Sequence, residues 1–117
     1  MKKLIFLIFS SLTFTITKAQ KQIAADSALY YTGQKLAICD SVYSNKVLPY
    51  LTFLNFGDEY PSQKITHIFY KRDLLLLEIE PEKLYKGKKI CVSGEISQYE
   101  RKPQIIVKSL RQIELNK

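Results

Sequence analysis

The chain has 117 residues and a formal net charge of +7 at pH 7. This length predicts one small domain rather than several, and the basic charge permits an anionic partner without requiring one. No long apolar run follows residue 16, so the sequence predicts no transmembrane segment and no membrane anchor.

The N-terminus has the pattern of a secretory signal peptide. Two lysines follow Met1, and an apolar run of about thirteen residues comes next, which is short of the roughly twenty needed to cross a bilayer. Thr17 and Ala19 then occupy the small-residue positions of a cleavage site. We therefore expect residues 1–19 to be removed and residues 20–117 to form an exported domain, periplasmic or extracellular. The alternative is a buried core helix.

Removal of this leader changes the charge and the redox context of the domain. Lys2, Lys3 and Lys18 are lost, which leaves 15 basic and 11 acidic residues, a net charge of +4. Both cysteines, Cys39 and Cys91, remain in the exported part. An even number of cysteines in an oxidising compartment predicts a disulfide; the alternative is a pair of buried free thiols.

One helical pattern and five strand patterns follow along the chain. The spacing of apolar residues over 22–31 predicts a short amphipathic helix that stops at Gly33. Alternation of apolar and polar residues, or enrichment in β-branched and aromatic residues, then predicts strands. The five predicted strands are 34–43, 51–56, 65–71, 88–96 and 104–108.

Turn and helix signals separate the strands. Ser44-Asn45-Lys46 predicts a polar turn, and residues 57–62 are rich in turn-forming types. Between the third and fourth strands, residues 74–77 predict a helical turn capped by Asp73. Residues 81–84 predict a second helical turn, because proline favours the first position of a helix.

This order of elements predicts a mainly all-β domain, a five-stranded Greek-key barrel of the OB-fold type. It would carry a short N-terminal helix and a short helical segment between strands 3 and 4. In that topology the first strand pairs with the fourth, and Cys39 and Cys91 point outward from neighbouring strands, where a bridge is geometrically possible. The residues expected to face inward on these two strands are Leu36, Ile38, Ile90 and Val92.

Three groups of segments also resemble a known family. They are 52–57 with 60–61 and 63–69, then 81–88 with 92–96, and finally 102–107 with 112–113. Together they are similar to the nucleic-acid-binding OB domain of the tRNA-anticodon-binding type, which includes OB modules of small secreted or thermonuclease-associated bacterial proteins. The resemblance covers residues 25–113 and implies the OB fold with a binding role. Glu100-Arg101 departs from the family, where a basic residue followed by glycine is common at this hairpin tip.

The sequence predicts no catalytic residue, no metal site and no cofactor. His67 is the single histidine and lies in the middle of a predicted strand, so no triad or Cys–His dyad is formed. One histidine and two outward cysteines are a weak zinc ligand set. Glu78, Glu80 and Glu82 are interpreted as a solvated edge, with metal binding as the alternative. A thermonuclease needs clustered carboxylates and paired arginines, whereas the three arginines here are scattered.

A binding surface is better supported. OB folds bind ligands along the second and third strands, between the loop that joins strands 1 and 2 and the loop that joins strands 4 and 5. On this chain that face combines aromatic rings with cations, which suits base stacking and phosphate contact. The candidate contact residues are Lys46, Phe53, Asn55, Tyr70, Lys71, Arg72, Tyr99, Arg101 and Lys102. The alternative is core packing for the rings and solvation for the charges.

Two functions therefore remain open. The first is a non-catalytic domain that binds single-stranded nucleic acid or another polyanion. The second is an interaction module for a protein or an oligosaccharide, since OB folds bind these too and most nucleic acid lies outside the exported compartment. The sequence predicts neither the oligomeric state nor the exact ligand.

Overall fold

The structure is a computed structural model that describes residues 21–116. The predicted signal peptide, residues 1–19, lies outside the described residues. The described chain consists mainly of strands. The strands are β1 (Gln22–Ile23), β2 (Lys35–Val47), β3 (Leu51–Phe56), β4 (Ile65–Tyr70), β5 (Lys89–Glu95), β6 (Ser97–Tyr99), β7 (Lys102–Ile106) and β8 (Ile113–Leu115). The α-helices are α1 (Lys71–Leu77) and α2 (Pro81–Leu84), and 3-10 helices span Ala25–Tyr31 and Leu110–Gln112.

The long strand β2 pairs with two neighbouring strands, β5 and β3. Its first half pairs antiparallel with β5, from Lys35 to Ser41, and its second half pairs antiparallel with β3, from Val42 to Val47. A shift in register between Val42 and Ser44 separates the two halves, and a bulge of this kind bends a strand and increases its twist. One strand can therefore run through both halves of the sheet.

The polar turn predicted at residues 44–46 is wrong, because these residues continue β2. Ser44 pairs with Asn55, Asn45 with Leu54, and Lys46 with Phe53. The backbone groups of this segment are thus bonded to β3, while polar side chains can occupy the solvent side of an antiparallel strand. The connection to β3 is shorter than expected and covers residues 48–50.

The sheet order is β6-β7-β4-β3-β2-β5-β8, with β1 added beside β2. The five predicted strands correspond to β2, β3, β4, β5 and β7, and the expected pairing of the first with the fourth is confirmed as β2 with β5. Strands β4 and β7 pair in parallel. The count of five is wrong: the described residues form eight strands, because short β1, β6 and β8 extend the sheet.

The two ends of the sheet lie close together, although backbone pairing among the described residues does not close it into a ring. The single residue Ile96 separates β5 from β6. Its backbone forms hydrogen bonds with the backbone of Gly33 and Gln34, which directly precede β2. Gly94 has a φ of +156°, and a Cβ there would lie 2.8 Å from Ile105 Cγ2. The absence of a side chain at Gly94 therefore lets β7 approach β5 closely.

The hairpin that joins β6 to β7 is tighter than expected. Its tip consists of Glu100 and Arg101, whose φ angles are 51° and 68°. Two-residue hairpin turns need positive φ at both central residues, and here two non-glycine residues adopt that conformation. The predicted fifth strand, 104–108, therefore begins earlier, at Lys102, and ends at Ile106.

The helices lie where they were predicted, but the type of the N-terminal helix and the N-cap of α1 differ from the prediction. The N-terminal segment is a 3-10 helix over Ala25–Tyr31, and it buries Ala25 and Ala28. Helix α1 begins at Lys71 with Tyr70 as its N-cap and no side-chain cap, so the expected capping role of Asp73 is wrong. Helix α2 begins at Pro81, as predicted.

The core lies between the two halves of the sheet and follows the predicted alternation. Its inward residues on β2 and β5 include Leu36, Ile38, Ile90 and Val92, all of which are buried. Cys39 and Cys91 are directly opposite one another in the register of β2 and β5 and form a disulfide. The predicted inward residues and the predicted disulfide are therefore confirmed.

Candidate ligand-binding groove

A groove with a volume of about 550 Å³ lies on the outer face of β3 and β4. Four aromatic rings line it, namely Phe53, Tyr60, Tyr70 and Tyr99, and its charged lining residues are Lys46, Lys102 and Glu100. The groove thus brings together five of the nine predicted contact residues, together with one ring, Tyr60, that the prediction did not include.

Two of the rings face outward because their neighbours along each strand face inward. On β3, Leu54 and Phe56 are fully buried, which leaves Phe53 on the opposite face. On β4, the inward residue Phe69 is fully buried and Tyr70 is only half-buried. Since side chains alternate along a strand, the alternation read from the sequence is sufficient to expose Phe53 and Tyr70 on one surface.

The two lysines reach the groove from different strands. Lys46 lies on β2, directly opposite Phe53 in the register, and is exposed. Lys102 lies at the start of β7, and its Nζ donates a hydrogen bond of 2.6 Å to the backbone oxygen of Pro61. This bond ties the β6–β7 hairpin to the loop between β3 and β4, so Lys102 shapes one wall of the groove as well as contributing charge.

Three predicted cations lie beside the groove rather than in its lining. Lys71 and Arg72 start helix α1, directly after Tyr70. The guanidinium carbon of Arg72 lies 5.8 Å from the centre of the Tyr70 ring, which is within the range of a cation–π contact. Arg101 is exposed at the hairpin tip, next to Glu100. A ligand that extends beyond the groove would meet these charges.

Asn55 lies beneath the groove instead of on its surface. The side chain is 1 % exposed; its Nδ2 donates to Ser44 Oγ at 3.1 Å, and its Oδ1 accepts from Thr66 Oγ1 at 2.9 Å. Thr66 in turn accepts a hydrogen bond of 2.9 Å from Gln63 Nε2. Thr66 and Gln63 both line the groove, so Asn55 supports the floor through them.

The sequence patterns did not identify Tyr60 and Gln63 as residues of the groove. Both lie in the loop between β3 and β4, in or next to a segment that the sequence identifies only as a turn. Tyr60 is 59 % exposed, whereas Gln63 is 6 % exposed. Alternation does not apply to loops, and the burial of Gln63 depends on contacts with β3 and β4 that follow from the fold.

A second depression, of about 690 Å³, lies over the disulfide on the β5 side of the sheet. Its lining has no aromatic ring and carries charges of both signs, from Lys35, Arg111, Glu95 and Glu114. Such a surface offers no ring for base stacking, and its two basic and two acidic side chains balance one another. The groove on β3 and β4 is therefore the better candidate for a ligand.

The possible metal ligands within residues 21–116 are dispersed. This region contains no group of three or more His, Cys, Asp or Glu side chains placed to hold a metal ion. His67 is fully buried, and desolvation lowers its pKa to about 3, so its imidazole is neutral and out of contact with the groove's solvent. None of the helices in this region is long and apolar enough to span a membrane.

Comparison with known proteins identifies the fold but no family. No family model and no curated protein matches the sequence. Among solved structures, asparaginyl-tRNA synthetase from Pyrococcus horikoshii matches with a TM-score of 0.58 and 18 % identity over 80 % of this chain. A putative aspartyl-tRNA synthetase from Leishmania major matches with a TM-score of 0.55 and 11 % identity over 89 % of this chain. This chain spans only 22 % of either synthetase chain.

A third similar structure is nearly the same size as this domain. It is an OBody bound to hen egg-white lysozyme, with a TM-score of 0.56 and 10 % identity, and the match covers 89 % of this chain and 99 % of the OBody. The chain has an OB fold.

In the OB fold, ligands bind on the second and third strands and between the two flanking loops. Here these strands are β3 and β4, and the flanking loops are residues 48–50 and the β6–β7 hairpin. The groove lies between them, lined by Leu48 from the first loop and by Tyr99 and Glu100 from the second. The groove identified from its shape therefore coincides with the usual binding face of the OB fold.

Proposed function

We propose that this protein is an exported, non-catalytic OB-fold domain that binds single-stranded nucleic acid, or a comparable polyanion, in the groove on β3 and β4. The observation that carries the proposal is the joint lining of this groove by four aromatic rings and two lysines. Stacking of a base on an aromatic ring contributes about 1–3 kcal/mol, and lysines neutralise phosphates.

The charge and the leader sequence support the same proposal. Residues 20–117 carry 15 basic and 11 acidic side chains, and Lys71, Arg72 and Arg101 lie around the groove. The pattern of residues 1–19 and the disulfide between Cys39 and Cys91 both suit an oxidising compartment outside the cytoplasm. In that setting the ligand would be extracellular or periplasmic nucleic acid, or an anionic polymer of similar spacing.

The alternative is a protein or oligosaccharide partner on the same face. It is favoured by the OBody that binds lysozyme, because that structure matches along nearly its whole length. Exposed tyrosines also suit protein interfaces. A partner retained from an envelope fraction after nuclease treatment would support this alternative over nucleic acid.

The test is fluorescence anisotropy of labelled single-stranded oligonucleotides with residues 20–117 at about 50 mM salt, where phosphate contacts are strongest. We expect binding, and we expect Phe53→Ala combined with Tyr70→Ala to weaken it by about tenfold or more, since each ring can stack on a base. Tyr30→Ala is the matched control, because Tyr30 is 85 % exposed and lies outside the groove. Absence of binding by the unaltered protein would refute the nucleic-acid proposal.

Export is tested separately. The mature protein, recovered from outside the cytoplasm, is expected to begin at Gln20, as determined by N-terminal sequencing. Exported protein that still begins at Met1 would contradict the predicted leader, whatever the ligand.

A further inference from the structure

A chain of four hydrogen bonds runs beneath the groove. Gln63 Nε2 donates to Thr66 Oγ1 at 2.9 Å, and Thr66 Oγ1 donates to Asn55 Oδ1 at 2.9 Å. Asn55 Nδ2 donates to Ser44 Oγ at 3.1 Å, and Ser44 Oγ donates to the backbone oxygen of Asp58 at 3.4 Å. The chain thus links the loop between β3 and β4 to three strands.

The direction of this chain is fixed at its far end. A backbone carbonyl can only accept, so the Ser44 hydroxyl is the donor in its 3.4 Å contact with the backbone oxygen of Asp58. Ser44 Oγ can then only accept from Asn55, which requires the amide nitrogen of Asn55 to face Ser44. The Asn55 oxygen consequently faces Thr66 and takes the Thr66 proton. Thr66 Oγ1 has no proton left, so it accepts from Gln63 and holds the Gln63 amide in one orientation.

This orientation leaves an acceptor without a partner. Gln63 Oε1 is buried and has no hydrogen-bond partner among the described residues, although the Gln63 side chain lines the groove and is 94 % buried. A buried acceptor without a partner is unfavourable, and a ligand that donates a proton to it relieves this cost. Thr66 Oγ1, which also belongs to a groove-lining side chain, has already committed its proton. At this point the groove floor offers two oxygens and no free hydroxyl proton.

We propose that this acceptor site selects nucleobases that carry an exocyclic amino group, cytosine in preference to uracil or thymine. The inference rests on the nucleic-acid-binding function proposed above. Cytosine presents the N4 amino group, a donor, where thymine presents the O4 carbonyl oxygen, an acceptor. The single N–H of uracil lies between two carbonyl oxygens, which would approach the oxygens of Gln63 and Thr66. Gln63 Oε1 is buried, so this selection requires the 57–64 loop to move far enough for the amino group to reach it.

The comparison must be made between bases with equal stacking. Purines and pyrimidines differ in ring size, so their stacking on Phe53 and Tyr70 differs as well. Cytosine and uracil have the same ring and no methyl group. A difference in affinity between oligo(dC) and oligo(dU) of equal length therefore reports the hydrogen-bonding edge of the base.

The experiment measures anisotropy with labelled 12-mers of dC and dU at pH 8, where cytosine is not protonated, and at about 50 mM salt. We expect oligo(dC) to bind about five- to tenfold more tightly, the range that one relieved buried acceptor and one hydrogen bond provide. Gln63→Met, which keeps the length of the side chain without the amide, is expected to bring the ratio of the oligo(dC) and oligo(dU) affinities to about one.

A second pair of variants leaves Gln63 unaltered and tests the direction of the hydrogen bonds in the chain beneath the groove. Thr66→Val removes the hydroxyl that orients the Gln63 amide, so the ratio is expected to fall. Thr66→Ser keeps the hydroxyl and is expected to preserve it. Thermal melts of each variant establish that the comparison uses folded protein.

The outcomes separate this inference from the proposed function. Tighter binding of oligo(dC) that disappears in Gln63→Met or Thr66→Val supports it. Equal binding of both oligonucleotides, or tighter binding of oligo(dU), overturns it and leaves the nucleic-acid proposal intact. Binding of neither oligonucleotide overturns both.

Discussion

Phe56 and His67 meet edge to face in the core, with ring centroids 4.3 Å apart and planes at 72°. Both side chains are fully buried, and neither nitrogen of His67 has a hydrogen-bond partner among the described residues. Burial lowers the pKa of His67 to about 3, because an imidazolium loses its hydration in this position. The core therefore holds the His67 imidazole in its neutral form.

This burial predicts that the domain loses stability as the pH falls below about 6.5. Above that pH, His67 is neutral in both the folded and the unfolded chain, so it does not make the free energy of unfolding depend on pH. Between its folded pKa of about 3 and its unfolded value of 6.5, the unfolded chain binds the extra proton, so the free energy of unfolding decreases by roughly 1 kcal/mol per pH unit. Urea unfolding at pH 7.5, 6 and 5 measures this decrease.

The matching control for the pH effect is His67→Leu, which replaces the imidazole with an apolar side chain of similar size. It removes two unpaired polar atoms from the core, so we expect the variant to remain folded at pH 7.5 and to lose most of the pH dependence between 6.5 and 4.5. Because both proteins carry the same carboxylates, the difference between their two pH slopes isolates the contribution of His67. An unchanged pH slope in His67→Leu would assign the dependence to other groups.

We expect the disulfide to contribute strongly to the stability of a domain of this size. Cys39 and Cys91 are 52 residues apart in sequence, and closing a loop of that length restricts the unfolded chain by about 4 kcal/mol in the chain-entropy model. Reduction should lower the melting temperature by about 15 to 30 °C. Calorimetry with and without a thiol reductant measures this shift.

A variant with Cys39→Ser and Cys91→Ser controls for other effects of the reductant. It should melt near the temperature of the reduced protein, and the reductant should not change it further. Two titratable thiols in the unreduced, unfolded protein would show that the bridge is absent.

The fold was predictable where one face of each strand is buried. The alternation over Leu36 and Ile38, and again over Ile90 and Val92, determines which side faces the core, because a shift of one residue would reverse every side chain. It also placed Cys39 and Cys91 on the outer side of adjacent strands. The same rule identified Phe53 and Tyr70 as outward-facing residues.

Strand ends and loops were less predictable, because their structure depends on partners distant in sequence. Residues 44–46 are polar and suggest a turn, yet the pairing with β3 satisfies their backbone and extends β2. Glu100 and Arg101 lack the glycine that marks a two-residue hairpin, yet their φ angles are positive. Local sequence preferences are weak compared with ladder pairing at these places.

The groove was partly predictable for the same reason. Its strand residues follow from alternation, but the buried Gln63 and Asn55 belong to a hydrogen-bond chain that joins residues as far apart as 44 and 66. No spacing in the sequence marks that chain. Asn55 alternates with Leu54 and Phe56, which predicts an exposed side chain, whereas in the structure it is buried and hydrogen-bonded to Ser44 and Thr66.

Salt dependence gives a prediction for the charge in the groove. Affinity for single strands falls with salt concentration, and each neutralised phosphate adds about 0.7 to the slope of log K against log salt. Lys46 is exposed and lines the groove opposite Phe53, so Lys46→Gln should weaken oligonucleotide binding and reduce the slope by about 0.7. Lys86→Gln removes the same charge from an exposed position outside the lining and should leave the slope nearly unchanged. Equal slopes for the two variants would mean that overall charge, and not contact in the groove, drives the binding.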